Sequence, residues 1–445
     1  MHQEVPGKDR KLPKRFVVAV LLGSMLEYYD LLVFAYFAVY IGHAFFPEAD
    51  ANSGLMRTLA VFAGGFIARP LGAFFLGRMA DRHGRKPAMM LSFAMIGIAG
   101  LGMTLTPSYA QIGPAAVVLL AVFRLLQSFA IGGETGTVSA YLVEIAPTHR
   151  RGLYVALQGV TQALGSACAG GIGVVLAATL AHQAFADYGW RIAFFLGVLI
   201  VPVGLLVRRD LPESMLAHSH TTERNEQPAH SWRPFLPTIV IGFVALSCST
   251  FIGYSQSYAT TYVINTLHRA ATVGFVLPVI NSVCTVVFAP IGGWLSDRFG
   301  RKPIMIACSL ALSVIVLPVF FSIVETQNVL VLYAGIALLT SLGSVATGPA
   351  FLYLSEALPP RIRAGGVGVV YALATTVFGG TTQFLLTWLI AFTGNPIAPA
   401  YSWAAAALIA GVAFAFAKET SPARRRGRDW SLTSRPRSRP TTSPR

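Results

Sequence analysis

The sequence predicts an all-α membrane protein: twelve transmembrane helices in two six-helix bundles, with both termini cytoplasmic. Three observations predict it. Twelve apolar segments of about the length needed to cross the hydrocarbon core can be placed along the chain. A charged decapeptide, Gly77 to Lys86, returns as Gly293 to Lys302 almost half a chain later, so the chain is built twice from one plan. Nearly all Lys and Arg fall on one side of the predicted segments.

In order, the segments fall near 16–42, 57–78, 87–106, 114–140, 153–182 and 190–207, then near 235–265, 272–295, 303–323, 328–355, 364–392 and 397–417. The first carries Glu27 and Asp30 and is too long for a cleavable signal, so it reads as a spanning helix. Residues 1–208 make the first bundle and 235–417 the second. The polar stretch 209–234, with Glu223, Arg224 and Pro228, reads as a cytoplasmic linker. The tail 418–445, rich in Arg, Ser and Pro, is expected to be disordered and to touch anionic lipid. Of the 34 Lys and Arg, only Arg57, Arg191 and Arg269 lie on the outer side, and Arg69 and Arg124 lie within segments.

Composition narrows the function. Hydrophobic residues are 54% and charged residues 12%, about half the charged share of a soluble domain. The net charge of +15 raises nucleic acid as a partner, but it sits in short loops and termini and forms no folded basic face. No nucleic-acid partner is expected. Cys168, Cys248, Cys284 and Cys308 stand singly in apolar segments without metal-ligand spacing, so they read as packing residues. Neither metal nor cofactor is expected. No Walker A loop, nucleophile elbow or paired metal-binding His is present, which disfavours ATP drive and an enzyme.

A second internal match supports the duplication. Tyr141-Leu142-Val143-Glu144, followed by Arg151, corresponds to Tyr353-Leu354-Ser355-Glu356, followed by Arg363. In the decapeptide, Gly77 and Gly293 are expected to allow close helix approach. Gly84 and Gly300 permit positive φ in a two-helix turn. Asp81 and Asp297 stand at a helix end, able to pair with an arginine or cap a neighbour. Arg82, Arg85, Lys86 and their copies Arg298, Arg301, Lys302 hold the loop inside or meet acidic headgroups. Together with Glu144, Arg151, Glu356 and Arg363 they are expected to form a conformational latch, with charge pairs across the two bundles. The plainer reading is that these charges only set topology.

Both decapeptides resemble the signature loop of the major facilitator superfamily, and the six-plus-six plan is similar over residues 16–417. Several stretches resemble its metabolite:proton symporter family of carboxylate, shikimate and betaine carriers. They are Leu26-Glu27-Tyr28-Tyr29-Asp30, Arg69-Pro70-Leu71-Gly72-Ala73, Tyr188-Gly189-Trp190-Arg191, and Arg124-Leu125-Leu126-Gln127-Ser128 with Gly132-Gly133-Glu134. The family pattern usually has Gly where this chain has Ser128. The resemblance implies a multi-pass carrier of the bacterial inner membrane.

Ionisable groups at bilayer depth are costly and mark function. Glu27, Asp30, Arg69, Arg124 and Glu134 survive there, Glu27 and Asp30 on one helix face. They could form a buried ion-pair cluster. The functional reading is a substrate and proton site facing a central cavity. Arg124 and Arg69, with Gln127 and Tyr28, are expected to hold an anion through paired hydrogen bonds. Asp30, then Glu27 and Glu134, are the proton-carrier candidates, because a carboxylate taken out of water can load a proton near neutral pH. Tyr254, Gln256 and Tyr258, in a hydroxyl-rich run of the seventh segment, are expected to line the cavity and orient the substrate.

The expected function is secondary transport by alternating access: proton-coupled uptake of a small organic acid, a di- or tricarboxylate such as citrate or 2-oxoglutarate by resemblance. A carrier of zwitterions (proline or betaine) or of shikimate is the alternative, and a transporter-like membrane sensor a rival of another class. The expected partners are a small-molecule substrate, a proton and the lipid bilayer, with a monomer as working unit.

Overall fold

The computed structural model describes residues 14–47, 51–83, 85–132, 151–209, 235–357 and 369–420. The elements of the first half are α1 (Lys14–Tyr36), α2 (Ala38–Phe45), α3 (Ala51–Gly65), α4 (Ala68–His83), α5 (Arg85–Leu105), α6 (Pro114–Gly132), α7 (Arg151–Thr179) and α8 (Trp190–Arg209). Those of the second are α9 (Leu236–Thr261), α10 (Ala271–Phe299), α11 (Arg301–Thr326), α12 (Val329–Ala357), α13 (Gly380–Thr393) and α14 (Ala398–Phe416).

Among the described residues, nine helices are long and apolar enough to cross a membrane. The pair Met25–Tyr36 and Ala38–Phe45, bent by 60°, makes a tenth if counted as one span. The other two expected spans are the helices α5 and α8. The second span starts earlier than its apolar run suggests, at Asn52. Arg57 is exposed near its outer end, where a long side chain reaches water without ending the helix. The linker 210–234 and the tail from 421 lie outside the described residues.

Glycine sets the closest contacts. A Cβ on Gly72 of α4 would come within 1.8 Å of the Phe129 carbonyl oxygen, and one on Gly132 of α6 within 2.1 Å of that of Arg69. These helices therefore meet backbone to backbone. Gly165 brings α7 onto Met25 of α1, and Gly292 brings α10 onto Val345 of α12. Lipid tails are as apolar as leucine, so such van der Waals contact is a chief attraction between helices. Gly77 does not act this way: a Cβ there would meet nothing within 4 Å. The close approach of its span is made nearer the centre, at Gly72.

The two bundles touch along their outer halves. The rings of Phe37 and Phe275 lie 4.6 Å apart, and Phe185 meets Phe275 at 5.8 Å. Gly170 and Gly173 of α7 receive Pro278 and Phe275 of α10. Asn265 Nδ2 donates to Asn52 Oδ1 at 3.0 Å, and Thr376 Oγ1 donates to the Phe66 carbonyl at 3.3 Å. Nearer the termini the bundles part around a cavity of about 240 Å³, many times the roughly 10–15 Å³ that one water needs. With the termini inside, as the charge asymmetry expects, this is an inward-facing arrangement.

Gly72→Val and Gly132→Val each drive a side chain into a facing backbone that cannot yield. Each is expected to cost about 1–3 kcal/mol or more, read as a lowered unfolding midpoint in detergent.

Candidate functional site

The site is built around two buried guanidiniums in the N-terminal half. Arg124 projects from α6 into a box of aromatic rings, its guanidinium carbon 4.3 Å from the centre of Phe62 and 4.9 Å from that of Phe34. Its Nη1 donates to Gln127 Oε1, and Gln127 Nε2 donates to Asp30 Oδ2 on α1. Gln127 thus links the cation to the carboxylate through one amide. Gly65 makes the room, because a Cβ there would lie 2.9 Å from both Arg124 Cγ and Ser128 Oγ.

Arg69 opens α4 just after a break in the second span, where Phe66 and Ile67 make turn hydrogen bonds to Ala63 and Gly64. Its guanidinium stacks on Phe66 at 3.9 Å, and Glu27, Tyr28, Tyr254 and Tyr371 surround it. Nε and Nη2 of both arginines are buried and have no hydrogen-bond partner among the described residues. Stacking on rings offsets part of the cost of burying a cation. It does not satisfy those N–H groups.

The cavity receives only part of the expected set. Tyr28, Tyr254 and Gln256 line it. Arg124, Arg69 and Gln127 stand behind its wall, with Phe66 packed against Tyr254 at 5.6 Å. Glu27 and Asp30 line a separate, water-sized space with Phe93, Gly97, Gly197 and Val201. The reason is helical register: Tyr28, Leu31 and Leu32 occupy the cavity face of α1, which turns Glu27 and Asp30 toward α5 and α8. Tyr258, on the same face of α9 as Tyr254 but one turn further along, lies beyond the cavity and accepts a hydrogen bond from Thr387 at 3.0 Å inside the C-terminal bundle. Tyr371, which pairs with Tyr28, and Gln162 are cavity residues that the sequence reading missed. Tyr371 is a lone polar residue in an apolar run, whereas Gln162 belongs to a polar stripe with Gln158 and Ser166 at i, i+4, i+8 that the sequence does carry. Cys168, read as a packing residue, is exposed. Glu134 lies outside the described residues.

The repeated loop is described for its second copy. Gly300 has φ 101°, the turn conformation expected of it. Arg301, fully buried, pairs with Asp297 at 2.5 Å and with Glu356 at 3.3 Å. These partners all belong to the C-terminal bundle, so this part of the expected latch closes within one bundle and not across two. The cause is the one-residue turn at Gly300, which folds Arg301 back onto α10 beside the end of α12. Glu419 accepts from the backbone N–H groups of Arg301 and Lys302, capping α11. Thr420 donates to Glu356 at 2.9 Å. Lys302 reaches the Ala415 carbonyl, and Arg298 lies beside Trp294 and Phe299. Gly84, Glu144 and Arg363 lie outside the described residues, as do the side chains of Asp81, Arg82, Arg85, Lys86 and Arg151.

Residues 16–226 and 214–424 match the family described as Sugar (and other) transporter. The chain belongs to the major facilitator superfamily. It is 33% identical to a citrate-proton symporter of Klebsiella pneumoniae over 89% of each chain. It is 32% identical to the alpha-ketoglutarate permease of Escherichia coli strain K12, over 83% of this chain and 85% of that one. In fold it is similar to the E. coli xylose transporter in a partially occluded inward-open conformation, with a TM-score of 0.74 at 17% identity, covering 92% and 98% of the chains. The chain is thus a multi-pass membrane transporter and not an enzyme.

Asp297→Asn combined with Glu356→Gln removes both carboxylates that the buried Arg301 guanidinium pairs with. The pair is expected to cost about 3–5 kcal/mol and to exceed the sum of the single changes, measured by thermal unfolding of the purified protein.

Proposed function

We propose that this chain is a proton-coupled symporter that takes up a small organic acid, a di- or tricarboxylate such as citrate or 2-oxoglutarate, by alternating access in the bacterial inner membrane. The observation that carries this reading is the pair of buried guanidiniums with unused N–H groups behind a tyrosine wall of the central cavity. Planar N–H pairs suit a carboxylate, and one guanidinium can hold it through two bonds. The similarity to citrate and 2-oxoglutarate carriers supports the same cargo class. The division into bundles at 209–234, and a monomer as working unit, belong to this proposal.

Asp30 is the proton carrier in this reading. While charged, it holds Gln127, and Gln127 holds Arg124. A proton taken from outside removes that charge and frees Arg124 for the cargo's carboxylate. Release of the proton to the cytoplasm restores the Gln127 link, and the cargo leaves through the inner cavity. Glu27, beside Arg69 and Tyr371, and Glu134 are secondary carriers.

In proteoliposomes, Arg124→Ala is expected to abolish uptake with insertion intact. Asp30→Asn is expected to keep measurable cargo binding but lose accumulation driven by an acid exterior. If Asp30→Asn, Glu27→Gln and Glu134→Gln each still accumulate cargo against its gradient, the coupling assignment is wrong.

A further inference from the structure

Gln383, on α13, is fully buried, and neither polar atom of its carboxamide has a hydrogen-bond partner among the described residues. A buried amide left unpaired is costly, whereas an apolar side chain of similar size carries no such cost. Its position indicates where it finds partners. On the same helix face, Thr376 donates to the Phe66 carbonyl, and a Cβ on Gly380 would lie 2.9 Å from the Phe66 ring. Gln383 continues that face one turn further from the cavity. It therefore lies at the margin of the seam that α13 makes with α3. On one side are the Phe66 contacts of Thr376 and Gly380, and on the other is Thr387, which bonds Tyr258 inside its own bundle. Unpaired buried polar atoms thus occur on both sides of the seam region: Arg69 and Arg124 from one bundle, Gln383 from the other.

We infer that Gln383 is a specificity-determining contact of the C-terminal bundle for incoming cargo. When the outer seam parts, its N–H groups donate to a carboxylate of the organic acid and its carbonyl accepts from a hydroxyl or protonated carboxyl. The arginines complete the grip from the opposite side. In the inward-facing state the seam has closed over the amide, so cargo leaving through the inner cavity does not meet it. The contact therefore belongs to the outer face alone. This rests on the organic-acid reading above.

The test uses the full chain in proteoliposomes, with citrate and 2-oxoglutarate as probes and transport measured in both directions. Gln383→Leu is expected to raise KM for uptake at least about tenfold, with the maximal rate of uptake and the KM for efflux within about twofold. The maximal rate of efflux should be lowered in proportion, because the gradients fix the ratio of Vmax/KM in the two directions. Gln383→Asn, which keeps the amide on a shorter stem, should recover part of the uptake affinity. A purely structural role would change the unfolding midpoint and leave both KM values alone. An unchanged uptake KM, or equal weakening on both faces, overturns the assignment. Should Gln383→Leu fail to insert, Gln383→Asn and Gln383→Met are read by the same asymmetry. A wild-type chain that carries neither acid overturns the organic-acid reading, and this assignment with it.

Discussion

Keeping two guanidinium cations inside a bilayer is the constraint on which the N-terminal half depends. An arginine at the middle of a span costs roughly 2.5–3.5 kcal/mol on insertion scales, and several features here lower that cost. Phe34, Phe62 and Phe66 present ring faces to Arg124 and Arg69. Gln127 connects Arg124 to Asp30. Gly65 leaves space for the Arg124 stem, and Gly72 and Gly132 draw the two arginine-bearing helices into backbone contact. The break in the second span at Phe66 belongs to the same arrangement, since it sets Arg69 at the head of a new helix with its guanidinium on the Phe66 ring.

Phe66 joins the charged site to the moving parts. One face of its ring carries Arg69, its edge packs on Tyr254 of the other bundle, and its carbonyl accepts from Thr376. Any rotation that separates the bundles on the outer side must disturb those contacts, and with them the surroundings of Arg69. Site and seam are therefore parts of one two-state element, which is what coupling between cargo binding and conformation requires. The placement of Asp30 fits the same logic. It faces a water-sized space between α1, α5 and α8, apart from the cargo cavity, and is joined by hydrogen bonds to Arg124 through Gln127.

Much of this was legible in the sequence. Apolar length and charge asymmetry revealed the spans, and the repeated decapeptide revealed the duplication. The intramembrane charges stood out because lipid tolerates few of them. What was not legible was direction. Glu27 and Asp30 share a helix face by spacing, but spacing does not say whether that face meets the cavity or a neighbouring helix; the large residues Tyr28, Leu31 and Leu32 decided it. The hydroxyl-rich run of α9 divides by depth instead: Tyr254 and Tyr258 share a face by spacing, but the cavity ends near Gln256 and Ser257, and Tyr258, one turn beyond Tyr254, is closed in against Thr387. The arginine of the repeated loop was visible, but its partner was not. A one-residue turn brought Arg301 back to Asp297 and Glu356, where charge alone equally allowed a bond across the bundles.

The short stretch after the last helix has a practical side. Glu419 and Thr420 fasten the stretch after α14 to the start of α11 and to Glu356, so the final span is stitched to its neighbours at its inner end. An affinity tag or fluorescent reporter joined directly after Phe416 would unpick that stitch, whereas one attached beyond Thr420 leaves it whole.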